Sequence, residues 1–305
     1  MPITVQQMRV LVALADVKSF TGAAKRLHVT QPAISRALSE AERILRIDVF
    51  DRSSKSLLPT ERGAAIVAIA RKALDEVDRA TIKMNDIASG AQRKLRISAL
   101  PTVAAVLLPD VTAHLRAIDT EIELEIFTAR AESVVEMVRT GKADIGITVR
   151  SGGIVPDTFT PMFMDELLCA TSTNHRFGSM QSVTWRDLSQ ETLVRLPSDS
   201  SIERLTENAF QTQGVTPRHS IVTFDLMSAA GLAASAVGVA VIPALAAPMT
   251  QFAKLSYTKL NSPRVTRTIG IVSNSPLTPE ERLISVKATE VAVDVLDQEA
   301  LQRDS

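Results

Sequence analysis

The chain has 305 residues, with 34 basic and 34 acidic side chains, one cysteine and only 4% aromatic residues. At about 100–200 residues per domain this length predicts two or three domains. The balance of 45% hydrophobic and 22% charged residues excludes wholesale disorder. A lone Cys169 cannot form an internal disulfide, which excludes a cystine-stabilised scaffold and fits a reducing cytoplasm. The opening MPITVQQMRV lacks the basic stretch and apolar core of a signal peptide, so export is not expected.

The zero net charge is unevenly spread. Residues 1–63 hold ten basic and six acidic side chains, a net +4, and the remaining 242 carry −4. Such asymmetry suggests a small basic module joined to a larger acidic one, although a solvated face gives the same count.

In chain order, Val5, Met8, Leu11, Val12 and Ala15 share one face of a first predicted helix. Ser19 can cap a second helix through Leu27, with Ala23, Ala24 and Leu27 inward. Thr30 can cap a third, in which Pro32 is tolerated because a first-turn amide needs no intrahelical partner. There Ile34, Leu38, Ala41 and Leu45 form the apolar stripe, while Gln31, Ser35, Arg36, Ser39 and Arg43 lie on other faces. Two short helices across a tight turn form a helix-turn-helix pattern. Val49-Phe50 and Leu57-Leu58 around a polar turn predict a small hairpin, a wing, ended by Pro59.

Thr60 can cap a long helix. In it Ile66, Ala70, Ala73, Val77, Ala80, Met84 and Ile87 recur at spacings of four and three, a heptad seam that suits a partner helix. Packing against its own domain is the alternative. From residue 95 onward strands and helices alternate, which predicts mainly parallel sheets covered by helices. Strands are expected at 95–99, 122–127, 145–148, 167–171, 193–196, 221–224, 239–242 and 268–272. Helices are expected near 103–117, 132–140, 202–213, 226–236 and 279–301. Residues 226–253 carry no charge, but Gly231, Gly238, Pro243 and Pro248 interrupt them. They read as a helix, a strand and a helix starting at Pro243 rather than as a membrane span.

The stretch SFTGAAKRLHVTQPAISRALSEAERIL followed by VFDRSSKSLLPTERG resembles the N-terminal domain of LysR-type transcriptional regulators. Ser19-Phe20, Ala23-Ala24, Leu27, Gln31-Pro32-Ala33, Ser35, Glu42, Leu45, Phe50, Arg52 and Gly63 carry the resemblance. Arg46 stands where that family usually has glycine, and Val49 where it usually has leucine. Leu108-Pro109, Gly141-x-x-Asp144 and the run from Ala236 to Pro243 extend it over the whole chain.

The resemblance implies an α/β protein in three parts: a winged helix-turn-helix DNA-binding domain over 1–60, a linker and dimerisation helix over 61–92, and a periplasmic-binding-protein-like effector domain over 93–305. That last domain would have subdomain I at about 93–162 and 267–305 and subdomain II at about 163–266. The chain would cross between them near 161–165 and 262–267. It further implies a non-enzymatic, cytoplasmic regulator that binds double-stranded DNA as a dimer or tetramer, acts on RNA polymerase indirectly and responds to a small-molecule effector.

Gln31, Ser35 and Arg36 suit base edges in the major groove, where Gln pairs with adenine and Arg with guanine, and Pro32 suits a thymine methyl. Arg52, Ser54 and Lys55 in the wing suit phosphates, which position without specifying. For the effector, Thr102 after the first strand, Thr128 after the second, Arg150 after the third, and Ser200 and Ser201 before a helix are candidates. The alternative for each Ser or Thr is simple capping. Oriented amides at helix starts favour an organic acid, against which Asp225 would act if it faced the cleft. Cys169 reads as a buried structural thiol, and peroxide sensing by disulfide formation would need a second cysteine. His28, His114, His175 and His219 lack paired metal-ligand spacing. A solute receptor would lack the basic module, and an α/β enzyme would show a nucleophile or acid–base motif. Neither pattern is present.

Overall fold

The computed structural model describes residues 2–51, 57–88, 94–150 and 158–304, apart from the side chains of residues 83, 86 and 299–304. The chain divides into two compact units, 1–90 and 91–305.

The first unit contains helices α1 (Val5–Val17), α2 (Phe20–Leu27) and α3 (Gln31–Leu45), strands β1 (Phe50–Asp51) and β2 (Leu58–Pro59), and the 28-residue helix α4 (Glu61–Ala88). Thr4 and Gln7 form a capping box at the start of α1, and the Ser19 hydroxyl accepts from the Gly22 amide at the start of α2. Thr30 has the extended backbone of a cap, but its side chain makes no cap bond. The buried face of α1 is Val10, Leu11, Ala13 and Leu14, and Val5 is exposed. This departs from the predicted stripe because α2, α3 and α4 all contact α1, so its apolar face is wider than a single seam.

The expected wing is present as an antiparallel pair, with Phe50 opposite Pro59, and its turn lies outside the described residues. Buried Glu42 on α3 holds it, accepting from the amides of Val49 at 2.9 Å and Phe50 at 3.3 Å. The Thr60 hydroxyl donates to the Asp48 carbonyl and accepts from the Gly63 amide, each at 2.9 Å, so one residue ends the wing and starts α4. A Cβ at Gly63 would overlap the Val49 carbonyl, which explains glycine there.

The second unit holds β3 (Lys94–Ala99), α5 (Pro101–Val106), α6 (Leu108–Ile118), β4 (Glu123–Thr128), α7 (Ala131–Arg139), β5 (Ile145–Val149) and β6 (Thr160–Ser172). There follow β7 (Ser182–Thr184), α8 (Trp185–Leu188), β8 (Thr192–Arg195), α9 (Ser201–Thr212), β9 (His219–Val222), α10 (Leu226–Ala234), β10 (Val239–Pro243), β11 (Leu255–Asn261), β12 (Thr266–Ser273) and α11 (Pro279–Asp304). The main strand order is β4-β3-β5-β12-β6-β10-β8-β9, with β11 on β6 and β7 on β11.

Two cores form around this arrangement. Ile97, Val103, Leu107, Ile147, Ile271 and Ile284 belong to one, and Trp185, Phe210, Leu193, Ile242 and Leu260 to the other. Strand β6 serves both, because residues 160–166 pair with β12 and residues 167–172 pair with β10 and β11.

Several expectations are corrected. The sheet is mixed, because β6 and β12 run antiparallel to their neighbours. The predicted strand at 167–171 is the end of the 13-residue β6. The helix predicted over 103–117 is two helices, since Pro109 in the first turn of α6 cannot donate back into α5. The helix expected from Pro243 is a pair of short 3-10 turns, Ala244–Ala246 and Pro248–Ala253. Strands β7 and β11 and helix α8 escape the sequence reading, being short or only weakly patterned. Among the described residues no helix is long and apolar enough to cross a membrane.

Arg46 ends α3 in the left-handed region at φ 56°, where glycine carries no Cβ penalty. Arg46→Gly is therefore expected to stabilise the first unit by about 0.5–1 kcal/mol, read as a rise in the midpoint of chemical denaturation. A fall would show that the arginine side chain contributes more than its backbone costs.

Candidate functional site

In the first unit, Gln31, Pro32, Ser35 and Arg36 are all exposed at the N-terminal end of α3. The opposite face of the helix is fixed: Ile34, Leu38 and Ala41 are fully buried against α1 and α2. The α2–α3 turn is set by His28 in the left-handed region. Gln31 is steadied by the Thr21 hydroxyl at 3.4 Å, and the Arg36 Nε lies 3.4 Å from the Pro32 carbonyl, with no ion pair to Arg36 among the described residues. A rigid helix thus presents an amide, a hydroxyl and a guanidinium within two turns, the donor and acceptor set that reads base edges. Arg52, Ser54 and Lys55 lie outside the described residues.

Helix α4 is clasped to this head. Asp16 on α1 accepts from Arg71 at 2.5 Å and from Arg26 at 2.9 Å. Burial raises the Asp16 pKa, but the two arginines outweigh it and hold the carboxyl below its usual range. The predicted seam divides in two. Ile66 packs on the head core and Ala70 is buried, together with Val67 and Leu74. Ala73 and Val77 are half-buried, and Ala80 is exposed. Met84 is 60% and Ile87 81% exposed.

In the second unit a cleft of about 210 Å³ opens beside the point where β6 and β12 pass between the two cores. Thr102 and Pro101 line it from α5, Arg130 and Ala131 from the start of α7, Ser200 and Ser201 from the start of α9, and Phe224 to Met227 from the start of α10. Thr102 is buried. Ser200 occupies the cap position of α9 yet makes no side-chain cap bond, so its hydroxyl is not spent on simple capping. Asp225 does cap α10, accepting from the Ser228 amide at 2.8 Å and hydroxyl at 2.7 Å. Those bonds lower its pKa, so it is ionised at neutral pH.

The floor of the cleft holds a group that sequence reading missed, Arg267 on β12. Its side chain is buried with Asp165 of β6, which it contacts through Nε at 2.9 Å and Nη2 at 2.7 Å. Nη2 also lies 3.3 Å from the Thr102 hydroxyl, and the second Asp165 oxygen accepts from the Leu245 amide at 3.0 Å. At the mouth, Arg130 pairs with Asp199, and Glu132 accepts from Arg204 at 2.5 Å, so the starts of α7 and α9 are bridged twice with opposite polarity.

Two predicted positions do not join this cleft. Thr128 is exposed at the end of the edge strand β4. Arg150 is exposed, with its guanidinium 5.8 Å from the centroid of the Phe159 ring. Cys169 is fully buried on β6, and burial pushes its thiol pKa up, so it stays protonated and inert. No cluster able to hold a metal ion occurs among the described residues.

Residues 5–64 match the family model for the bacterial regulatory helix-turn-helix protein of the lysR family, and residues 88–283 match the LysR substrate binding domain. The chain belongs to the LysR family. It is 24% identical over 265 residues to the uncharacterised HTH-type transcriptional regulator YbhD of Escherichia coli, covering 87% of this chain and 84% of that one. It is 26% identical to the hydrogen peroxide-inducible genes activator of Haemophilus influenzae, covering 94% and 97% of the two chains. Its fold is similar to that of oxidised OxyR from Corynebacterium glutamicum, at TM-score 0.55 and 20% identity over 99% of this chain and 95% of that one. Full-length BenM is similar at TM-score 0.57 and 23% identity over 95% and 97%.

The LysR assignment makes this an α/β transcriptional regulator with a winged helix-turn-helix head, a long linker helix and a two-lobed effector-binding domain. Its relatives and structural neighbours are regulators, not enzymes. What the sequence reading lacked was the far end of the chain. Arg267 lies 165 residues from Thr102, and no spacing rule links them. Arg267 also sits between Thr266 and Thr268, at the polar start of β12 and outside the strand expected at 268–272, so no local signal marks it as buried.

Proposed function

We propose that this LysR-family protein reads a specific DNA sequence with the exposed face of α3, and that a small molecule bound in the cleft changes its DNA-bound conformation. The observation that carries the first half is the contrast on α3: Ile34, Leu38 and Ala41 are locked in the core while Gln31, Pro32, Ser35 and Arg36 face outward. The second half rests on Thr102, Ser200 and Ser201 converging on one cavity. Residues 1–60 act as reader, 61–92 as linker and 93–305 as sensor, and the sensor's two subdomains meet along β6 and β12. Arg52, Ser54 and Lys55 hold phosphates beside the groove.

The protein works in the cytoplasm and alters RNA polymerase access indirectly, through the spacing of its DNA-binding heads. The head carries a modest positive charge, so phosphate attraction alone is weak, and a dimer or a tetramer made of two dimers supplies the missing affinity. The exposed Met84 and Ile87 of α4 form the free part of the dimer seam, and Ile66 and Ala70 fasten that helix to its own head. Peroxide sensing, suggested by the name of the Haemophilus relative, is not favoured, because the single cysteine is sealed in the core.

Three measurements test this reading. In gel shifts against the DNA upstream of its own gene, Arg36→Ala loses specific affinity by about 1–3 kcal/mol and much less on random DNA, whereas Lys55→Ala weakens both alike. Equal losses for Arg36→Ala would overturn the base-reading role. In sedimentation, Met84→Glu with Ile87→Glu shifts the protein to a smaller species while circular dichroism is retained. An unchanged mass would place the dimer contact elsewhere. In a thermal-shift screen with organic acids, amino acids and aromatics, Thr102→Val loses most of the stabilisation that an effector gives the wild type. Identical responses would remove Thr102 from the site.

A further inference from the structure

The sequence favours an organic acid as effector, but the charges around the cleft balance differently. Arg267 and Arg130 are the cations in its lining. Arg267 is neutralised by Asp165 behind it, and Arg130 by Asp199 at the mouth. Asp225 is the remaining charge, and it is held by the amide and hydroxyl of Ser228 rather than by a cation. The cleft with its immediate counter-charges therefore carries one excess negative charge, and an entering carboxylate adds a second.

Arg267 nevertheless has something to offer. Its Nε and Nη2 are used on Asp165 and Thr102, while Nη1 has no hydrogen-bond partner among the described residues. The side chain is only 3% exposed. Nη1 is not among the sealed, unpartnered polar atoms of the interior, and Arg267 is one of the residues that line the cavity. A guanidinium carries five N–H donors, and two of them are on Nη1. A buried donor left empty is costly, so a ligand that fills it gains strongly from one hydrogen bond. Apart from Thr102, Ser200 and Ser201, the remaining walls are mainly apolar, with Leu100, Leu196, Ile202, Phe224, Met227 and Met249 among them.

Building on the effector-cleft reading, we propose that the ligand is an apolar molecule with an uncharged acceptor oxygen, such as an amide, ketone or ester carbonyl, docked on Arg267 Nη1. Asp165 makes this discrimination. It cancels the charge of the guanidinium and leaves the Nη1 donors available, so the site rewards an acceptor rather than an anion. The apolar body packs on Leu196, Met249 and Phe224, which line the cleft.

The test uses the full-length protein and three probes with nearly the same body: phenylacetamide, phenylacetate and phenethylamine. Affinities are measured by saturation-transfer NMR. Phenylacetamide is expected to bind about tenfold more tightly than either charged analogue. Asp225→Asn keeps a good helix cap. It is expected to raise phenylacetate affinity about threefold and leave phenylacetamide unchanged. A crystal of the phenylacetamide complex is expected to put the carbonyl oxygen within hydrogen-bond distance of Arg267 Nη1. A preference for phenylacetate or phenethylamine overturns the neutral-acceptor assignment while the cleft reading stands. Binding of none of the three at millimolar concentration overturns both. An Asp225→Asn protein whose phenylacetate affinity does not move counts against the charge balance on which the assignment rests.

Discussion

The ion pair between Arg267 and Asp165 stands where the architecture of the sensor and its site become one problem. Asp165 lies on β6 and Arg267 on β12, the paired strands that run past the cleft between the two cores. Both side chains are buried, and Asp165 also fixes the Leu245 amide just after β10. Two charges are expensive to bury, and a hydrophobic pair of similar volume is often as stable or more so. Stability alone does not account for the pair. Breaking it by removing one partner typically costs about 3–5 kcal/mol, because the other charge is stranded. The fold is therefore committed to it, and it places a guanidinium beside Thr102 on the cleft floor.

The same logic of fixing one face to free the other governs the head. Glu42 is buried and unable to contact DNA, yet it receives the Val49 and Phe50 amides and so anchors the wing to α3. Gly63 lets α4 start against the Val49 carbonyl. Asp16 gathers Arg26 and Arg71, joining α1, α2 and α4 through one carboxylate. Each of these residues positions a reading element without touching a ligand. The family resemblance at Glu42 and Gly63 is thus structural rather than chemical.

The parts legible in the sequence are those whose signals are local. Helices α1 to α3 with their tight turn, the wing pair and the long helix announce themselves through caps, apolar spacing and Pro59. Gln31, Pro32, Ser35 and Arg36 follow, because a helix with one apolar stripe must expose the rest. Thr102, Ser200 and Ser201, which line the cleft, stand out in the sequence because they sit at helix starts. Thr128 and Arg150 were not discriminated from them, since strand ends look alike in sequence whether they point to a cleft or to solvent. Arg267 and Asp165, 102 residues apart, carry no local mark at all. The antiparallel pairing of β6 is hidden for the same reason: its buried end, residues 167–171, reads as an apolar run whichever way its neighbours point.

The two ion pairs at the cleft mouth complete the account of how a signal can arise. Arg130 with Asp199 and Glu132 with Arg204 join the starts of α7 and α9 across the opening. Exposed pairs of this kind contribute little each, typically under about 1 kcal/mol. They are weak enough to be exchanged when a ligand spreads or draws together the two sides. The floor pair is buried and committed, and the mouth pairs are solvated and replaceable. Under the proposed effector mechanism, such an arrangement would convert a small difference in ligand fit into a change in closure, up to the ligand's differential affinity for the two states. The strong interaction on β6 and β12 and the weak ones on α7 and α9 are the division of labour that the proposed mechanism requires, a fixed scaffold with an exchangeable rim.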